Sequence, residues 1–226
     1  MKKNIVGDIT WGAILLVWIL MLVIPVSRTE FIRITELHPY WGGFFKFAIL
    51  ASMGDMLGGR IIKGHWEFPQ GFVFKALIWG IIGLMVTLVF SIYFSGAAGT
   101  MANGKLPFEG STFAVALFGS VIMNATFGPM MYIYHKFGDL LVDMLIEKKR
   151  GKLNKITLRE MVNRIDWYGL VSFSWLKCCI LVWMPLHTIV FLLPGEYRVL
   201  VSAFLSILLG ILVAITKKSA LKTSKN

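Results

Sequence analysis

The stretch ITWGAILLVWILMLVIPV, residues 9–26, contains no charged side chain. A helix needs about 20 mostly apolar residues to cross the hydrocarbon core of a bilayer, with a working range of about 17–25. Residues 9–26 therefore predict a transmembrane helix. Lys2 and Lys3 ahead of it resemble the start of a signal peptide. The apolar run is long, however, and ends without an Ala-x-Ala-like site, so we expect the helix to remain uncleaved.

Five further mostly apolar stretches follow residues 9–26, and each is long enough to cross a bilayer. The chain is 57% hydrophobic and 15% charged, whereas a soluble domain usually holds about 45–50% apolar and about 25% charged residues. The sequence therefore predicts an all-α protein, a polytopic helical membrane bundle of about six transmembrane helices that forms a single domain over residues 1–226. The five further predicted spans are residues 41–62, 72–95, 112–134, 168–193 and 199–216.

Basic residues predict the orientation of this bundle. With six spans and a cytoplasmic N-terminus, 17 lysines and arginines fall on the cytoplasmic side and 4 on the other. Cytoplasmic loops of membrane proteins carry this excess. We therefore expect both termini and the loop 135–166 to be cytoplasmic, in a bacterial plasma membrane. The net charge of +11 is explained by topology, so no nucleic-acid partner is expected.

The loop 135–166 carries two helical patterns. Phe137, Leu140, Leu141, Met144 and Leu145 share one helix face. Farther along, Thr157 and Glu160 form a capping box, a signal for the start of a helix. We expect these helices to lie at the membrane surface. The basic residues between them are predicted to contact the head groups of anionic lipids: Lys148, Lys149, Arg150 and Lys152.

Polar side chains inside predicted spans are costly and indicate a functional site. Counting at 1.5 Å per residue places Asp55 about 10 Å, Lys177 about 14 Å and Asn124 about 15 Å from the cytoplasmic ends of their helices. The sequence thus predicts an intramembrane polar cluster of these three residues, in which Asp55 and Lys177 form an ion pair. The alternative is that the same residues are buried structural partners with no role in transport.

The remaining motifs indicate helix packing and surfaces rather than a reaction. Small residues at helical spacing, Gly54 with Gly58 and the stripe from Ala116 to Gly128, predict close helix contacts. Pro129 and Pro185 predict helix kinks. His135 begins a polar helix face that is a possible metal-binding set but is more typical of a solvated surface. The sequence shows no motif for catalysis, a metal or a cofactor, so an enzyme is not expected.

Several residues resemble a known family. His-Pro precedes the second span, Gly-Asp lies within it, and a Trp-x-Pro, a Phe, a Pro and an Arg follow near the C-terminus. The pattern is similar to the family of small peroxisomal and mitochondrial inner-membrane proteins named after Mpv-seventeen and the twenty-two-kilodalton peroxisomal membrane protein. The matching positions are His38, Pro39, Gly54, Asp55, Trp183, Pro185, Phe191, Pro194 and Arg198.

The resemblance covers roughly residues 38–216 and departs from the family in places. Met184 separates Trp183 from Pro185, the spacing to Pro194 is shorter, and the family's Gln and Asn are not evident. It implies a helical membrane protein with a weakly selective channel role. Our leading hypothesis is a small channel or transporter for a small polar solute. The alternative is a structural or lipid-organising membrane protein without transport, and a homo-oligomer is compatible with both.

Overall fold

The computed structural model describes residues 2–223, without the side chains of residues 2, 3, 213 and 216–223. Within that range the chain forms helices and no strand, which confirms the predicted all-α bundle. Some basic residues counted above have side chains outside the described set, so the structure adds nothing about their positions. They are Lys2, Lys3, Lys217, Lys218, Lys222 and Lys225.

Eight helices follow one another between residues 2 and 223, and five of them are long and apolar enough to cross a membrane. These five are α1, α4, α5, α7 and α8, so the protein is suited to multiple passes through a membrane. The helices are α1 Lys2–Val23, α2 Pro25–Leu37, α3 Pro39–Lys63, α4 Phe72–Ala102, α5 Thr112–Lys149, α6 Leu158–Asn163, α7 Trp167–Leu192 and α8 Gly195–Thr223.

The second predicted span corresponds to α3, a long helix that carries several charged residues. It contains 25 residues, enough to cross the hydrocarbon core. It also carries Lys46, Asp55, Arg60 and Lys63, and it falls outside the five helices that qualify by composition. Its place is nevertheless central, because it packs against both α4 and α8.

Glycines bring α3 close to both neighbours. A Cβ atom on Gly54 would lie 2.6 Å from the backbone oxygen of Ser206 in α8, and one on Gly58 would lie 3.1 Å from that of Gly210. On the other side, a Cβ atom on Gly43 would lie 2.7 Å from the backbone oxygen of Gly83 in α4. The predicted close approach at Gly54 and Gly58 is therefore confirmed, and its partner is α8.

Residues 27–37, expected to form a loop, instead form most of the helix α2. Pro25 occupies its first turn, where the missing proline N–H is not needed. Ile24 before it has an extended backbone (ψ 120°), so the chain turns between α1 and α2. Prediction failed here because the segment is polar, and its helix depends on short-range signals rather than on an apolar run.

The first helical pattern of the loop 135–166 is not a separate surface helix. It continues α5 as one helix of 38 residues, about 57 Å long at 1.5 Å per residue. Within it Met144 is fully buried. The helix passes through Pro129 without a break, so that proline does not end it.

The helix start predicted at Thr157 is confirmed, with Thr157 as its N-cap, although the Glu160 carboxylate bonds Arg164 rather than closing a capping box. The Thr157 hydroxyl accepts a hydrogen bond from the backbone N–H of Glu160, at 3.2 Å, at the start of α6. Arg164 then joins α6 to α5 through ion pairs with Glu160 and Glu147. Hydrogen bonds to Glu147 and then Glu160 raise the pKa of the Arg164 guanidinium, which keeps this link charged. The basic residues proposed for lipid contact are exposed: Lys148, Lys149, Arg150 and Lys152.

The helix α7 changes its hydrogen bonding along its length. Residues Leu170–Trp183 form a π-helix, and Met184–Leu192 form an α-helix. Pro185 lies where the α-helical part begins. The bonding pattern changes there from i→i+5 to i→i+4, and the kink at this proline stays a prediction.

Candidate functional site

A cavity of about 350 Å³ lies inside the bundle, between α3, α4, α5, α7 and α8. On α3 its wall extends from Phe47 to Ile62, about 22 Å at 1.5 Å per residue. That length is more than half of the roughly 30 Å of a hydrocarbon core. We call this space the central cavity. It begins near the middle of the bundle and reaches toward the end where α3 meets the loop to α4.

Asp55 is the acidic residue of the central cavity. Its Oδ2 atom accepts a hydrogen bond of 2.7 Å from Nε1 of Trp79 on α4, and its side chain is exposed to the cavity. The Trp79 ring packs on the His135 ring, with 4.1 Å between centroids. The Nε2 atom of His135 is buried and makes no hydrogen bond, and it lies 3.8 Å from Oδ2 of Asp139. This end of the cavity therefore places the Asp55 carboxylate beside an indole and an imidazole ring.

The deeper end of the central cavity holds a chain of uncharged polar groups. Asn124 Nδ2 donates to the backbone oxygen of Ser120 at 2.8 Å, and Asn124 Oδ1 lies 3.2 Å from Nδ1 of His187. Nε2 of the same histidine lies 3.4 Å from the Ser202 hydroxyl. Since Asn124, His187 and Ser202 are all buried, these bonds satisfy groups that would otherwise be costly in a bilayer.

Aromatic rings complete the deeper wall. Trp183 stacks on His187 at 5.0 Å and donates a hydrogen bond of 2.7 Å to the Tyr132 hydroxyl. Phe90 meets the same histidine edge-on at 5.3 Å. His187 is therefore held by an amide, a hydroxyl and two rings, which fixes its orientation.

A second cavity of about 420 Å³ lies at the opposite end of the bundle. We call it the end cavity. It is lined by Lys46 and Arg198, and by the acidic residues Glu36 and Glu196. Phe90 lines both cavities and is only 4% exposed. One buried phenyl ring therefore lies in the walls of both cavities, where a mostly apolar space adjoins a more polar one.

The structure brings together two of the three residues of the predicted polar cluster. Asp55 and Asn124 both line the central cavity. Lys177 is exposed on the surface of α7 and forms no ion pair with Asp55. The predicted pair was wrong because equal depth does not place two side chains on facing helix surfaces.

Most other polar groups of the site were missed by sequence reasoning. His187 is absent from the predicted polar cluster, yet it is buried between Asn124 and Ser202. His135 was assigned to a solvated face, yet its ring lies on Trp79. The sequence signal for these missed site residues was the presence of tryptophan and histidine within apolar runs. Among the described residues, no three His, Cys, Asp or Glu side chains are arranged to hold a metal ion.

The residues of the family resemblance have distinct places. His38 and Pro39 form the junction between α2 and α3. Arg198 lies 3.7 Å above the Phe94 ring and donates a hydrogen bond to the backbone oxygen of Leu193, beside Pro194 in the turn before α8. Phe191 is fully buried against Phe90. The positions thus concentrate at the helix junctions and around the cavities.

The chain was compared with protein-family models, with curated proteins and with solved structures, and none of these comparisons found a match.

Proposed function

We propose that this membrane protein is a small channel or transporter that conducts small polar solutes through the two cavities. The observation that carries the proposal is the position of Phe90, in the walls of both the end cavity and the central cavity. Charged residues line the first, and a mostly apolar wall with Asp55 and Asn124 lines the second. Hydrophobic constrictions gate pores by excluding water. In the arrangement described above, the ring of Phe90 closes the path.

The wall around Phe90 supports a gate of this kind. The ring packs edge-on against Phe191 at 5.2 Å and against His187 at 5.3 Å. Thr87 and Ser91, on the same helix, face the end cavity. Rotation of the Phe90 ring would therefore join the space beside the Thr87 and Ser91 hydroxyl groups to the space beside the His187 imidazole.

The membrane context of the proposal follows the sequence. We place the protein in a bacterial plasma membrane, with both termini and the loop 135–166 in the cytoplasm and with anionic lipid at the exposed basic residues. The resemblance to the Mpv-seventeen family, with its weakly selective channel role, agrees with conduction rather than catalysis. A structural or lipid-organising protein does not require two cavities that share one ring in their walls. We therefore rank that alternative second.

The test is solute flux into liposomes that contain the purified protein, followed by swelling with urea and glycerol. Wild-type protein should raise the rate above that of empty liposomes. Phe90→Ala removes the ring between the cavities and should raise it further, whereas Phe90→Trp should lower it. The matched control is Phe74→Ala on the same helix, where the ring is 64% exposed and the rate should not change.

Monodisperse elution in detergent establishes that each variant is folded. If wild-type and Phe90→Ala liposomes both swell at the rate of empty liposomes, conduction is excluded and the structural alternative remains. If Phe90→Ala and Phe74→Ala raise the swelling rate equally, the leak arises from general loosening of the bundle. That result would contradict a conduction path through Phe90.

A further inference from the structure

We propose that the central cavity binds organic cations, small amines or ammonium compounds with an apolar or aromatic body. The inference rests on the proposed function, since it names the class of solute that the path would accept. Three features carry it: a single carboxylate with an open oxygen, a wall of aromatic rings, and the size of the space.

The carboxylate supplies the charge preference. Asp55 is the one acidic residue among the described residues that line the central cavity, and no described lysine or arginine lines it. Trp79 occupies Oδ2, while no described residue donates a hydrogen bond to Oδ1. A charge inside a membrane protein usually pairs with an opposite one. The structure provides no such partner within ion-pair distance, so a bound cation would supply it.

The aromatic wall suits a cation that carries apolar groups. The face of a tryptophan, tyrosine or phenylalanine ring attracts cations, tryptophan most strongly. An inorganic cation, in contrast, needs several oxygen ligands at short distance, and Asp55 is the only charged oxygen donor among the described lining residues. Six aromatic side chains line the cavity: Phe47, Trp79, Phe90, Phe127, Tyr132 and Trp183.

Size and hydrogen bonding limit the ligand further. A volume of about 350 Å³ is at the lower end of the range of about 300–1,000 Å³ for small-molecule sites. His135, whose Nε2 atom makes no hydrogen bond and lies 3.8 Å from Asp139, lines the same cavity as Asp55. A small amine with one additional polar group would engage both residues and place its apolar body toward Phe127 and Met131.

The experiment measures binding by isothermal titration calorimetry with the purified full-length protein in detergent. Three probes share a phenyl body and differ in charge: 2-phenylethylamine, 2-phenylethanol and phenylacetate. The amine should bind most tightly. Asp55→Asn should weaken amine binding at least about tenfold, the loss expected for a charge-assisted hydrogen bond. Asp55→Glu keeps the charge and should retain binding within a few fold.

Glu67→Gln is the matched control, because it removes one negative charge from an exposed loop residue that pairs with Lys63. Its affinity for the amine should equal that of the wild type. Equal binding of all three probes, or an unchanged affinity in Asp55→Asn, would overturn the inference and indicate a generic apolar space filled by lipid or detergent. The titration needs no membrane, so it is independent of the flux assay. Amine binding without solute flux would exclude the proposed conduction but not the cation site. Solute flux without amine binding would exclude the cation site but not conduction.

Discussion

At the scale of single residues, Asp55 shows how a charge is accommodated inside this bundle. Its carboxylate is held from one side by the indole N–H of Trp79 and faces the central cavity on the other. Lys46 on the same helix is accommodated differently. It is buried, donates a hydrogen bond of 3.0 Å to the Thr35 hydroxyl and lies 4.6 Å above the Phe31 ring. The lysine is thus held by a hydroxyl group and a ring face at the end cavity, whereas the aspartate has one indole partner and faces the central cavity.

The hydrogen bond between Trp79 and Asp55 can be tested by substitution. Trp79→Phe keeps an aromatic ring but removes the N–H group, and it should lower the free energy of unfolding by about 1.5–3 kcal/mol, the contribution of a hydrogen bond to a charged group. Denaturant unfolding in detergent, followed by circular dichroism, measures the change. The control is Trp41→Phe, where the side chain is 63% exposed.

A double-mutant cycle separates the hydrogen bond from lost ring contact. If the bond exists, Asp55→Asn combined with Trp79→Phe should cost less than the sum of the single changes, because contacting residues are not additive. Additive costs would contradict the bond. The same cycle with Asp55→Asn and Lys177→Met should show no coupling, since those two side chains are not paired.

At the scale of helices, the glycines of α3 determine how closely its neighbours pack. Gly54 and Gly58 meet the backbone of α8, and Gly43 meets that of α4. Helices in membranes associate through such close backbone contact, because lipid leaves little hydrophobic driving force between them. A polar helix can therefore occupy the centre of the bundle, its charges directed to the cavities and to the helix ends.

The close contact between α3 and α8 makes a quantitative prediction. Gly54→Ala places a Cβ atom 2.6 Å from the backbone oxygen of Ser206, and it should destabilise the protein by about 1–3 kcal/mol, as overpacking typically does. Gly59→Ala on the same helix meets no atom within 4 Å. It should be neutral or stabilising by up to about 1 kcal/mol through helix propensity. Thermal unfolding in detergent distinguishes them, and equal melting temperatures would contradict the packing.

At the scale of the whole molecule, the chain is a bundle whose outer surface is apolar and whose interior holds polar groups. The helix α1 lies at the periphery. It touches the bundle through Trp11, which donates a hydrogen bond to the backbone oxygen of Met53, and it leaves Ile9, Val17 and Val23 exposed. Such a surface suits lipid rather than water, while the buried polar groups lie around the two cavities within an apolar core.

The orientation of the molecule remains a prediction with a direct test. Reporter fusions after Asn103, which follows α4, and after Gly151, which follows α5, should report opposite sides of the membrane, with Gly151 in the cytoplasm. Activity of both reporters on one side would mean that α5 does not cross between them, and would contradict the six-span arrangement. If α3 does not cross, the two sites stay on opposite sides but exchange places, with Asn103 in the cytoplasm. A fusion after Gly64 tests that case directly, because Gly64 follows the end of α3.

The sequence by itself determined the helical class, the position of each long apolar helix and the cap at Thr157. Hydropathy and capping depend on residues close together in the chain, so they can be assigned without knowing the neighbours. The tertiary structure alone decided that Asp55 faces Trp79 rather than Lys177, that His187 is buried, and that Phe90 lies in the walls of both cavities. These features depend on which faces of distant helices meet, and a π-helical turn or a glycine contact changes those faces without changing the hydropathy of the chain.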